Sequence, residues 1–145
     1  MKKQFTLLCF FLFLSFTINA NAQNVNVNPG GGTYPTLKAA FDAINAGTHT
    51  GAVTVNIVLS TVETATASLN ASGTGAASYT SVVVSITSPV TVEGTLPAAA
   101  IIKLNAADNV TIDGRIAGTG RNLTVRNNSN VSLSTGIQLA NVVTT

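Results

Sequence analysis

Hydrophobic and polar positions follow two regimes that change over near residue 50. In "TLKAAFDAINAG", Leu37, Ala40, Phe41 and Ile44 recur at i, i+3, i+4 and i+7, one apolar stripe on a helix of about three turns. Thr36 is placed to cap its N-terminus and Gly47 to stop its C-terminus. A lone stripe of this kind predicts a packing helix. From residue 52 the period becomes two: "AVTVNIVLS" puts Val53, Val55, Ile57 and Leu59 on one face, and "SVVVSI", "PVTVEG", "IIKLN", "NVTIDG", "NLTVRN" and "GIQLANVV" continue as short strands. The segments between them, "NASGTGAAS", "TLPAA" and "IAGTGR", carry turn chemistry. One early helix followed only by strands argues against an alternating α/β sheet.

The strands echo one another. "PVTVEG" (89–94), "NVTIDG" (109–114) and "NLTVRN" (122–127) share a polar or Pro start, two apolar positions around Thr and an outward polar or charged residue; "IKLNAADNV" pairs in the same way with "IQLANVV". Uneven, strand-plus-corner repetition suits a solenoid in which coils of roughly 20 to 30 residues stack and their inward side chains form ladders. About 90 residues after the helix then hold some four coils.

Composition divides the chain in another way. Lys2 and Lys3, the apolar run Phe5 to Ile18 and the small residues Ala20-Asn21-Ala22 form a secretion signal, with cleavage expected after Ala22. Lys2 and Lys3 leave with it, so seven cations become five against five acids, and the formal charge of +2 belongs to the signal. A neutral mature chain has no electrostatic reason to seek nucleic acid or an anionic membrane. The single cysteine, Cys9, also lies in the signal, which leaves the mature chain without disulfides or thiolate metal sites. What remains is rich in Thr, Ser, Asn, Ala, Val and Gly, with Tyr34, Phe41 and Tyr79 as its aromatics, a secreted β composition. The organisation expected is a signal peptide at 1–22, an N-terminal strand and cap helix at 23–51, and β-helix coils at 52–145. The coils end on an apolar strand pattern at "GIQLANVVTT" with no visible cap, so they are read as incomplete, the chain being the N-terminal portion of a longer protein.

The Gly-rich entry and helix, "GGGTYPTLKAAFDAI", followed by β coils that include "LNAADNVTIDG", resemble the pectin-lyase-like right-handed parallel β-helix proteins. Within that family the chain looks most similar to secreted, repeat-bearing surface and adhesin proteins of Bacteroidetes-type bacteria. The resemblance implies an all-β solenoid of right-handed parallel coils whose N-terminal end is capped by the amphipathic helix. It also implies export to the cell surface or medium, with extracellular glycans or proteins as partners.

Enzymes built on such coils act from an outer groove, with acids that hold Ca²⁺ or exchange protons and a cation that stabilises a developing anion. Asp108, Asp113, Arg115, Arg121, Arg126 and Glu93 are the clustered candidates. Asp113 and Arg126 hold equivalent places in echoed strands, so stacking would set them about 5 Å apart. They are the two weak catalytic candidates, against an exposed salt bridge as the simpler reading. Asp108 reads as a turn residue, and Gly114 as a corner that needs a positive φ. His49 in "GTHTG" reads as a loop histidine. The sequons at Asn70, Asn109, Asn122, Asn127 and Asn130 read as corner or stacked asparagines. No metalloprotease, P-loop, nucleophile-elbow or EF-hand pattern occurs, and no cofactor or metal is expected.

Two functions follow from these readings. The first is a non-enzymatic exported β-helix with a structural or adhesive role. The second is the N-terminal part of a carbohydrate-active enzyme, a polysaccharide lyase or pectin-esterase-like protein, favoured by resemblance alone.

Overall fold

The structure, a computed structural model, describes residues 22–141. Residues 1–21, which hold nearly all of the expected signal peptide 1–22, and residues 142–145 lie outside them. Ten strands and one helix follow the order β1 (Gln23–Val27), α1 (Leu37–Asn45), β2 (Gly51–Ile57), β3 (Thr61–Glu63), β4 (Ala67–Asn70), β5 (Tyr79–Ile86), β6 (Val90–Gly94), β7 (Ala100–Asn105), β8 (Val110–Ile112), β9 (Leu123–Asn127) and β10 (Thr135–Ala140). They form three parallel sheets, β1-β2-β5-β8, β3-β6-β9 and β4-β7-β10, called A, B and C here. Each coil contributes one strand to each sheet. The result is an all-β parallel solenoid of three complete coils preceded by the β1 rung, roughly four turns.

The expected strands are all present, and the spacing of equivalent residues explains the unevenness of the repeat. Along sheet A, Val53, Val82 and Val110 are neighbours, whereas along sheet C the neighbours are Ala67, Ile102 and Ile137. A coil therefore takes 28 to 35 residues, depending on how much loop its corners hold. Two of the three "V/L-T-V/I" echoes are true rungs of one ladder, with Val90 beside Leu123 and Val92 beside Val125 in sheet B. The third, Val110–Ile112, belongs to sheet A. "IKLN" and "IQLA" stack residue on residue in sheet C.

The inward positions make one aliphatic core. Val25, Val55 and Val84 are fully buried neighbours in sheet A, and Ala67 and Leu69 fill the first rung of sheet C. β2 ends at Ile57, one residue pair earlier than its pattern predicts, so Leu59 lies in the turn and is 50% exposed.

α1 closes the first coil. Leu37, Ala40, Phe41 and Ile44 are completely buried, as the stripe requires. Thr36 is the N-cap, accepting from the Ala39 N–H at 3.1 Å. At the other end Gly47 has φ +74°, its N–H donates to the Ile44 carbonyl, and the Thr48 N–H reaches the Ala43 carbonyl, the paired bonds of a Schellman stop. Asn45 fastens the helix to the open edge of β4: its Nδ2 donates to the Ser68 carbonyl at 2.8 Å, and its Oδ1 accepts the Asn70 N–H at 2.9 Å. One side chain thus substitutes for a pairing strand.

Candidate functional site

Polar chemistry gathers in three places. The first is a shallow groove of about 420 Å³ at the corner after β8, lined by Ile112, Asp113, Gly114, Arg115, Gly120, Arg121 and Leu123. The Asp113 N–H still pairs with the Val84 carbonyl of sheet A before the chain turns. The Asp113 carboxylate then accepts the Arg115 backbone N–H at 3.0 Å and grips the Arg115 guanidinium through Nε and Nη2 at 2.8 and 2.9 Å. Those bonds hold the Asp113 carboxyl below its ordinary pKa, chiefly through the Arg115 side chain, and raise the Arg115 guanidinium in return. Arg121 lines the same groove and forms no ion pair among the described residues.

The second place is the outer face of sheet B. Arg126 lies directly above Glu93, and its guanidinium binds Glu93 Oε2 through Nη2 and, at 3.1 Å, through Nε. Asn128 Nδ2 adds a third bond at 3.2 Å. Arg126 first and Asn128 second lower the Glu93 pKa.

Asp113 and Arg126 are therefore not stacked. They belong to one coil but to different faces, and each has another partner: Arg115 for Asp113, Glu93 for Arg126. The register of sheets A and B, not the likeness of the two strands, decides this. Carboxylates depressed by a guanidinium are weak proton acceptors, so neither pair is set up for general-base work. Asp108 is exposed in the turn between β7 and β8, where the positive φ values fall on Ala106 (54°) and Asn109 (53°). Gly114 does not have a positive φ. It is required because a Cβ there would come within 2.9 Å of the Leu123 Cβ.

The third place was not anticipated from the sequence. Glu63 is 1% exposed and forms no ion pair among the described residues. Its Oε1 accepts the Leu37 N–H at 2.9 Å and the Thr61 hydroxyl at 2.9 Å, and its Oε2 accepts the Lys38 N–H at 3.0 Å. With the Thr36 hydroxyl accepting from Ala39, the free N–H groups of the first three helical residues, Leu37, Lys38 and Ala39, are all satisfied. Both carboxylate oxygens act as acceptors at the positive end of the helix, which supplies the charge compensation a cation otherwise would. The only sequence signal was parity: in Thr61-Val62-Glu63 the polar residues take the inward positions and Val62 is 64% exposed.

His49 also has partners. Its Nε2 lies 2.9 Å from the Tyr34 hydroxyl, and its Nδ1 lies 2.9 Å from Gln23 Oε1, an acceptor to which it donates. This joins the first strand, the Tyr34 loop and the segment after α1. Among the sequon asparagines, Asn70 receives a bond from Asn105 Nδ2 at 3.0 Å across the stack. Asn127 turns inward and bonds the Leu96 and Ala99 carbonyls and the Leu96 N–H.

Fold and site together define a class, the short three-sheeted parallel β-solenoid closed at one end by a helix. No family model matches the chain, and no similar curated protein or solved structure was found.

Proposed function

We propose that the chain is an exported, non-enzymatic β-helix module with a structural or adhesive role at the cell surface. Residues 1–22 act as its signal peptide, and extracellular glycans or proteins are its partners. The supporting observation is where the polar groups go. Asp42, Glu93 and Asp113 are each paired with a cation, and Glu63 is consumed as a helix anchor. The outer face of sheet A meanwhile presents uncharged ladders, Asn26–Asn56–Ser85 and Asn24–Thr54–Val83–Thr111, held in line by a 2.5 Å bond from the Ser85 hydroxyl to Asn56. A face made mostly of amides and hydroxyls at the strand spacing of about 4.8 Å suits weak, repeated contact with a polymer better than it suits a reaction.

The pectin-lyase-like resemblance keeps a polyuronate lyase or esterase as the second reading, and the Asp113 groove, where Arg121 forms no ion pair among the described residues, is the observation that favours it. Both are tested on the natural host. Adhesion predicts that deleting the gene weakens attachment, that the exported protein begins at Gln23, and that it releases neither unsaturated uronates nor methanol from pectin. Uronate release that vanishes in a folded Asp113→Ala variant would reverse the choice.

A further inference from the structure

The outer face of sheet A differs in chemistry from the other two. Its strands, QNVNV, GAVTVNI, YTSVVVSI and VTI, contain no charged residue, whereas sheet B carries Glu93 and Arg126 and sheet C carries Lys103. The first charge on that side is Asp113, one residue beyond β8, and Arg115 neutralises it. Val53, Val55, Val82 and Val84 are buried in the core, which by strand alternation turns Thr54, Asn56, Val83 and Ser85 outward. Tyr79, the one aromatic residue of these strands, is buried. Rungs added to a stack lengthen such a face without covering it.

We propose that this face binds a neutral, extended polysaccharide that lies across the strands with one sugar ring per rung. The inference rests on the adhesive reading above and supplies the chemistry of the partner. Two straight columns, Asn24–Thr54–Val83–Thr111 and Asn26–Asn56–Ser85, cross the sheet at the rung spacing of about 4.8 Å. That spacing is close to the length of one pyranose ring, so successive sugars of a straight chain meet successive rungs. The Ser85 hydroxyl donates to Asn56 Oδ1, which leaves the Asn56 Nδ2 amide to donate outward and the Ser85 oxygen to accept. Sugar hydroxyls can answer both, and Thr54 and Thr111 add hydroxyls of their own. Thr54, Val83 and Thr111 are β-branched and stiff at χ1, so little side-chain entropy is lost when a ligand orders them. An acidic polymer finds no cation on these strands. Protein interfaces are built around aromatic, methionine or arginine anchors, and this face presents none. Without an aromatic platform each sugar contributes little, so binding depends on engaging several rungs at once.

The test is co-sedimentation of the 145-residue chain with cellulose, chitin, calcium polygalacturonate gel and gelatin beads. Retention is expected on cellulose or chitin and absent from the other two. It should be indifferent to salt, as an uncharged contact is, and should resist elution by glucose or N-acetylglucosamine monomers. Asn56→Asp keeps the acceptor for Ser85 but replaces the outward donor with a charge, and Thr54→Val removes one hydroxyl at similar shape. Each is expected to cut retention about three- to tenfold, the worth of one hydrogen bond, with unchanged far-UV circular dichroism. Thr91→Val, the same exchange on the outer face of sheet B, should leave retention intact. No retention on either neutral glycan, equal or greater retention on polygalacturonate or gelatin, or indifference to both sheet A variants would overturn the proposal. Attachment that needs the gene, beside a chain that ignores both neutral glycans, refutes this site and leaves adhesion standing. Retention through Thr54 and Asn56, beside attachment that survives deletion of the gene, does the reverse.

Discussion

Removing the Glu63 carboxylate tests whether the cap is held by its helix N-terminus. In Glu63→Ala the Leu37 N–H loses its acceptor inside the protein, where water cannot replace it, and the Lys38 N–H and Thr61 hydroxyl lose theirs in part-buried or buried surroundings. A buried unsatisfied donor costs about 1–3 kcal/mol, and breaking a buried network of this kind costs about 3–5 kcal/mol in total. A domain stability of roughly 5–15 kcal/mol makes that a large fraction of the whole. Glu63→Gln preserves the volume and one acceptor but turns an amide NH₂ toward a donor, so its expected cost is about 1–3 kcal/mol. Thr36→Ala, which removes one bond at the same helix end, should cost about 1 kcal/mol. Urea unfolding followed by far-UV circular dichroism ranks the three, and amide exchange localises the loss to residues 37–45. Equal stability of Glu63→Ala and Thr36→Ala, or unchanged exchange in α1, would refute the reasoning.

Three other substitutions probe the stack. Gly94→Ala should destabilise by about 1–3 kcal/mol in the same urea assay, because its Cβ would overlap the Glu63 carbonyl oxygen and press on Ile101 Cδ1 at 3.1 Å. Asn127→Ala should cost about 2–4 kcal/mol, since it strips acceptors and donors from the Leu96–Ala99 corner, and should increase proteolysis there. The depressed folded-state pKa values of Glu93 and Asp113 mean that their stabilisation is present above the ordinary carboxylate pKa and is lost as pH falls through the lowered values. Glu93→Gln should therefore flatten the acid limb of a stability–pH curve, and an unchanged limb would contradict the pairing.

The helix was legible because four apolar residues at helical spacing admit few other readings, and its cap and stop occupy the residues expected, Thr36 and Gly47. The ladders of sheet C were legible because "IKLN" and "IQLA" share both register and residue type. Which face a strand occupies was not, since a period-two run reads the same in all three sheets. That ambiguity joined Asp113 to Arg126 on paper and separates them in space. Glu63 was hidden for the opposite reason: its neighbour Val62 follows the usual rule of apolar inward and polar outward only if the strand is turned over. The helix N-terminus inverts the rule there by offering donors to an inward carboxylate.

The column Glu63–Gly94–Asn127 shows how position in the stack, more than strand type, assigns chemistry in this solenoid. All three residues are equivalent rungs of sheet B. The first faces the helix and must supply acceptors. The second lies between the Glu63 carbonyl and Ile101, which leaves no room for a side chain. The third sits where the chain swings out toward β10, and an amide satisfies the backbone groups that the swing leaves unpaired. Each choice follows from the neighbour above or below, the nearest-neighbour logic of a repeat protein. It follows that polar residues inside such a stack mark its ends and corners. A search for function therefore belongs on the outer ladders of the stack.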